Sequence, residues 1–310
     1  MDTTYLKADQ SQSADTIADA IAVLNEFYSK LTLSKPDQEE LWQKRGLPLQ
    51  ASQFAGFKTN GLANRESLDQ LSERYSQAAR LESGLWVPGP GGVAKPNSQF
   101  YGYGLVTRKG GQDGSEVWGW KDEGKCNPLI IPYWDAQGRL LHLRPHKGGI
   151  AGKPPHLYVA RGEGICDTPC ATAVVTEGEI KAQALRAVLN LVEPHRFGVA
   201  ALPGIAMAKN RGCLEELFTW LKGVTPARVV IVYDSEEKGD PRLPGFKANP
   251  RKRHDAQIYA RYLANVLNHE GHDAFVGVLP REWRDPKTGK ADADSRLAAR
   301  IKDLIPTLAA

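Results

Sequence analysis

Two groups of carboxylates stand at the ends of apolar runs and have the chemistry to hold a hard divalent cation. The run Ala173-Val174-Val175-Thr176 stops at Glu177-Gly178-Glu179 and passes directly into Ile180-Lys181-Ala182-Gln183-Ala184-Leu185-Arg186-Ala187-Val188, which has helical periodicity. A later run, Arg228-Val229-Val230-Ile231-Val232-Tyr233, ends in Asp234-Ser235-Glu236-Glu237. Glu177, Asp234 and Glu236 are oxygen ligands of the kind that Mg2+ or Mn2+ takes, with several waters left for phosphate oxygens to replace. Two such ions can clamp the attacking and leaving oxygens of a phosphoryl transfer. The plainer alternatives are a glutamate satisfying free N–H groups at a helix N-terminus and a solvated acidic loop. Lys181, four residues after Glu177, can reach back over the same helix end. It would meet either a phosphate or its own (i, i+4) glutamate.

These residues need a scaffold that brings distant stretches together. Both acidic runs are short, β-branched and unbroken, the pattern of strands covered on both faces, and Gly198-Val199-Ala200-Ala201-Leu202 is a third strand ending at Pro203-Gly204. Ligands of open α/β sheets gather beyond the carboxyl ends of the strands, so the two acidic ends are expected to face one space.

The ordered set resembles the toprim domain shared by bacterial-type primases, topoisomerases and some nucleases. It consists of Glu177-Gly178-Glu179, then Ala201-Leu202-Pro203-Gly204, then the acidic pair Asp234-Ser235-Glu236. The family's pair is Asp-x-Asp, so Glu236 keeps the charge but lengthens one arm. The segment Lys290-Ala291-Asp292-Ala293-Asp294 is similar to a second acidic signature of the primase branch. Upstream, Ile131-Pro132-Tyr133, Asp135-Ala136-Gln137-Gly138 and the basic strand Arg139 to Arg144 look like the unit that precedes the toprim domain in primases. Leu41 to Leu47 followed by Phe54 to Phe57 is similar to a pattern found before such domains in phage and plasmid proteins. The resemblance covers roughly residues 128 to 300. It implies that Glu177, Asp234 and Glu236 are metal ligands and catalytic, and that the basic strand faces template and nucleotides, while Lys181 joins the catalytic candidates on its helical spacing alone.

Two basic surfaces accompany the acidic ends. The hairpin and the loop after it carry Arg139, Arg144, His146 and Lys147. Between Arg242 and His254 there are five cations, Arg251, Lys252 and Arg253 among them, and no carboxylate. Pro241, Pro244 and Pro250 make that segment an extended loop suited to tracking phosphates. Either surface, as plain solvated charge, would also satisfy the residues.

Around this core the chain of 310 residues reads as three parts: a helical region 1–85, a β-rich basic subdomain 98–165 and an α/β domain 171–310. Helices are expected over 14–31, from Pro36 to Gly46, around 49–55, over 66–79, over 255–269 and over 294–304. The glycine- and proline-rich stretch 84–97 reads as a linker or surface loop. The fold class is α/β, a toprim-like sheet with flanking helices.

With 41% hydrophobic and 25% charged residues the composition is that of a globular protein, and no apolar run of ~18 residues predicts a membrane span. The N-terminus has no basic and apolar leader pattern, so a cytoplasmic location is expected. Cys126, Cys166, Cys170 and Cys213 are too scattered for a disulfide framework or a paired zinc site. The net charge of +4 permits nucleic-acid binding without demanding it. The function expected is metal-dependent primer synthesis on single-stranded DNA in a phage or plasmid context. A toprim nuclease and a non-catalytic binding accessory are the alternatives. No Gly-x-x-x-x-Gly-Lys-Ser/Thr motif is present, which leaves unwinding to a separate replicative helicase.

Overall fold

The computed structural model describes residues 13–61, 63–100, 105–109, 116–120, 129–135, 137–146, 155–162, 169–236, 256–283 and 290–291, with backbone alone at 105–109, 116–120, 235–236, 281 and 290–291. The chain forms two compact units, each drawn from several segments. One comprises residues up to 32, 59–130 and 140–152. The other comprises 33–58, 131–139 and 153–310.

The first unit is built on the helix Ala14–Ser29, started by Ser13, whose hydroxyl accepts the Thr16 N–H. Its buried stripe is Ala20, Val23, Leu24 and Phe27, at three- and four-residue spacing, while Ile17 and Ile21 lie exposed. Phe27 meets Phe100 edge to face with ring centroids 6.2 Å apart. The single helix expected over 66–79 is two, Asn64–Ser72 and Gln77–Glu82. Ser76 causes the break: its backbone is extended and its hydroxyl accepts the Ala79 N–H, so it caps a new helix instead of continuing the old one. The stretch expected to be a linker is a hairpin, Trp86–Pro88 paired antiparallel with Ala94–Pro96, anchored by a fully buried Trp86. An exposed glycine-rich tip over an apolar anchor gives both readings their basis. Strands Leu105–Lys109 and Glu116–Trp120 pair antiparallel. In the strand Leu140–Pro145 a simple two-residue alternation breaks at Leu143, which is buried like Leu140 and His142, while Leu141 is exposed.

The second unit holds a five-stranded sheet in the order Ala274–Val276, Arg228–Val232, Thr172–Glu177, Phe197–Leu202, Tyr158–Val159. All neighbours are parallel except the edge strand Tyr158–Val159, which is antiparallel. The helix Glu179–Val192 carries the chain from the central strand Thr172–Glu177 to its neighbour on one side. The helix Arg211–Val224 then carries it across to the neighbour on the other side. Right-handed crossovers in opposite directions put these two helices on opposite faces. Ala173, Val175, Val229 and Ile231 pack with Leu217 and Leu221 of the second helix and with Leu263 and Leu267 of the helix Ala256–His269 in one buried cluster. Two faces are therefore covered, which is why these strands read as unbroken apolar runs.

The turn from the central strand into its helix depends on Gly178, whose φ of 83° is in the region that favours glycine. A Cβ added there would meet nothing within 4 Å, so the cost of a side chain is backbone strain alone. Gly178→Ala is expected to lower the unfolding free energy by about 1–3 kcal/mol. Urea denaturation checks this: an unchanged midpoint would show that the turn relaxes freely.

Candidate metal centre

Because the chain leaves the central strand to opposite sides in succession, the strand order reverses between Thr172–Glu177 and Arg228–Val232. In open α/β sheets such a reversal is where ligands are bound, at the carboxyl ends of the two strands. Glu177 is the last residue of one, and Asp234 lies two residues past the other. Their register is set by Thr176 pairing with Val232, reinforced by the Thr176 hydroxyl donating to the Val232 carbonyl at 2.6 Å. One step on, the Asp234 backbone N–H donates to Glu177 Oε1 at 3.0 Å. Gln257, at the start of the helix Ala256–His269, holds this end in place by donating to the Tyr233 and Asp234 carbonyls at 3.2 and 3.0 Å.

Lys181, one helical turn into Glu179–Val192, donates from Nζ to Glu177 Oε1 at 2.7 Å and also to Asp234 Oδ1. One ammonium thus bridges the two carboxylates, and all three side chains are nearly buried, at 8% exposure for Lys181, 12% for Glu177 and 11% for Asp234. Glu177 Oε2 is buried with no hydrogen-bond partner among the described residues. Burial pushes the Glu177 carboxyl up to about 7, against the pull of Lys181 and with a further push from the Asp234 charge. Burial, and next the Glu177 charge, also drive the phenol of Tyr233 well above its ordinary range.

A group whose pKa is raised on folding, here from 4.5 toward 7, contributes stability below the lower value that is lost as pH rises through the upper one. In EDTA the melting temperature of the wild type, measured relative to Glu177→Gln, is therefore expected to fall between about pH 4.5 and 7. A pH-independent difference would show that Glu177 is not held in an unfavourable charged state.

The donor set fits a divalent cation of the Mg2+ class. Two hard carboxylates converge where a cation is already held, and one buried carboxylate oxygen is left over. Among the described residues no third His, Cys, Asp or Glu joins them. Glu236 pairs through its backbone with Lys290 in the short ladder Ser235–Glu236 with Lys290–Ala291, and its side chain is outside the described set, as are Asp292 and Asp294. Glu179, the other acid of the Glu-Gly-Glu turn, points elsewhere: Tyr133 donates to its Oε1 at 2.5 Å in a buried contact.

Of the basic residues, Arg139 is taken up in its own turn, donating from Nε to Asp135 Oδ2 at 2.6 Å, and that pairing helps hold the Asp135 carboxyl low against its partial burial. Arg144 and His146 are half-buried and belong to the first unit. Lys147, Arg251, Lys252 and Arg253 lie outside the described residues, as do Cys126, Cys166 and the helix expected over 294–304. Cys170 and Cys213 are buried outside any disulfide, and the Cys213 thiol donates to the Pro155 carbonyl at 3.4 Å.

Sequence reasoning missed Gln257 and Thr176, whose roles are hydrogen bonds across 24 and 56 residues of chain. It also missed a cavity of about 720 Å³ lined by Trp42, Phe54, Arg161, Arg186 and Asn190. Glu177, Lys181 and Asp234 do not line it, although Gln183, two residues past Lys181, does.

The site and sheet define a mixed α/β protein with an acidic crevice at the reversal of strand order. No family model matches the chain, and no curated protein sequence matches it. In fold it is similar to the zinc-binding and RNA polymerase domains of the Aquifex aeolicus primase, with 13% identity and a TM-score of 0.55 over 96% of this chain and 61% of that one. It is also similar to a DnaG primase catalytic domain bound to single-stranded DNA, with 11% identity and a TM-score of 0.50 over 96% of this chain and 80% of that one. The chain thus has a fold like that of DnaG-type primase catalytic domains and spans about three fifths of the length of the Aquifex chain. Among the described residues no helix is long and apolar enough to cross a membrane.

Proposed function

We propose that this protein is a toprim-type, metal-dependent nucleotidyltransferase that makes primers on single-stranded DNA. The observation that carries the reading is the convergence of Glu177 and Asp234 on one cation-holding position at the reversal of strand order. The likeness in fold to a primase domain solved with single-stranded DNA supports the polymer assignment.

In this reading Glu177 and Asp234, with Glu236, hold Mg2+ or Mn2+, and Lys181 offers its ammonium to a phosphate. A bound ion would neutralise charge on the transferring phosphoryl group and favour the ionised form of the attacking hydroxyl. The low exposure of Glu177, Asp234 and Lys181 strengthens each of these interactions. Arg144 and His146 would contact nucleotide or template, and the segment with Arg251, Lys252 and Arg253 would grip the polymer. The setting would be replication of a phage or plasmid in the cytoplasm, with a separate helicase opening the duplex.

Incubation with single-stranded DNA, nucleotides and Mg2+ or Mn2+ separates this reading from its rivals. New short oligonucleotides are expected. Shortened template would make the protein a nuclease, and a mobility shift with neither product would make it a binding accessory.

A further inference from the structure

Lys181 Nζ occupies the space between the Glu177 and Asp234 carboxylates. It is 2.7 Å from Glu177 Oε1, bonded also to Asp234 Oδ1, and its side chain is 8% exposed. Glu177 Oε1 additionally accepts the Asp234 N–H at 3.0 Å, so the oxygen facing the ammonium is fully engaged, while Oε2 has no partner among the described residues. A Mg2+ or Mn2+ ion needs its oxygens at about 2.1 Å and keeps near-octahedral geometry, which the space held by a bonded ammonium does not allow. Two cations crowded against the same pair of carboxylates in a poorly solvated crevice also repel each other.

We propose that Lys181 is a tethered cation that competes with divalent ions for the Glu177–Asp234 pair. An ion then enters between the carboxylates only by displacing Nζ. Lys181 thereby sets the metal affinity of the site, and this rests on the metal-dependent reading above. The charge of the residue, more than its bulk, is the operative property.

The test is Mn2+ titration of the full chain followed by the electron paramagnetic resonance signal of the free ion, without nucleotide or DNA. Lys181→Met is expected to bind Mn2+ at least tenfold more tightly than the wild type, and Lys181→Arg, which keeps the charge, to stay within threefold of it. Asp234→Asn placed on Lys181→Met should remove the gain. The rise of melting temperature with Mn2+ should follow the same order, and if Lys181→Met does not fold without metal, Lys181→Gln should show the same gain. Equal binding by wild type and Lys181→Met, or weaker binding by the mutant, would overturn the competition while leaving the metal site standing. No Mn2+ binding by any of these proteins would overturn the metal-dependent reading itself, and the competition with it.

Discussion

Under the proposed primase reading, Glu177→Gln is expected to reduce primer synthesis on single-stranded DNA by about 10³-fold or more while leaving the protein folded. The substitution keeps shape and an oxygen for the Asp234 N–H, which now donates to Oε1 at 3.0 Å, and removes only the charge. Loss of a preorganised electrostatic group at a reacting centre costs about 10²–10³ in rate, and a ligand that also holds the ion falls at or beyond the upper end. Stability should not fall in parallel, because burial already opposes the charged form of Glu177 and pushes its carboxyl up to about 7. The weakened Lys181 contact offsets part of that relief. Asp234→Asn should behave likewise. If Glu177 served only to satisfy backbone N–H groups at the helix start, the amide would serve as well and synthesis would continue. Activity within a factor of two of wild type, in a mutant with an unchanged melting temperature, would remove Glu177 from the site.

Replacing Arg251, Lys252 and Arg253 together with Ala is expected to weaken binding to single-stranded DNA by about 100-fold at 0.1 M salt. It should also make the dependence of log K on log salt shallower by about 2, since each phosphate contact on a single strand contributes about 0.7 to that slope. The basis is local charge: the segment from Arg242 to His254 holds five cations and no carboxylate, although the whole chain carries only +4. Counterion release rewards clustered positive charge and is indifferent to net charge, so the effect should appear equally on unrelated template sequences. Affinity and slope measured between 50 and 300 mM salt decide the matter. A slope identical to that of the wild type would assign these residues to bulk solvent.

Much of the site is legible in the sequence because it follows from strand ends. Each apolar run stops at a carboxylate, so Glu177 and Asp234 mark the ends of their runs by residue type alone, although both side chains are nearly buried. The glycine after Glu177 and the helical period after Glu179 complete a strand-turn-helix unit, and the structure has its helix at Glu179–Val192. Helix starts with strong caps are readable for the same local reason, as at Ser34 before Lys35–Arg45. Where a local signal and a tertiary anchor disagree, the anchor prevails. Gly and Pro around residue 90 suggest a linker, but burial of Trp86 folds the segment into a hairpin. Ser76 is hidden inside a helical pattern because the periodicity on either side masks a single cap.

The sequence by itself determined the inventory of the site: two acidic strand ends, a lysine one turn beyond the first, and the parallel α/β elements that carry them. Each of these is a property of residues close together in the chain, where propensity and periodicity act. Only the tertiary structure decided that Lys181 bridges both carboxylates, that Glu179 turns to Tyr133, and that Gln257 clamps the end of the Arg228–Val232 strand. The partners in these contacts lie 53, 46 and 24 residues apart, and nothing local selects one partner over another at such separations. The strand order selects them. By placing Thr172–Glu177 between Phe197–Leu202 and Arg228–Val232, the sheet opens its crevice at one pair of strand ends, and the low exposure there turns ordinary charges into a coupled cluster.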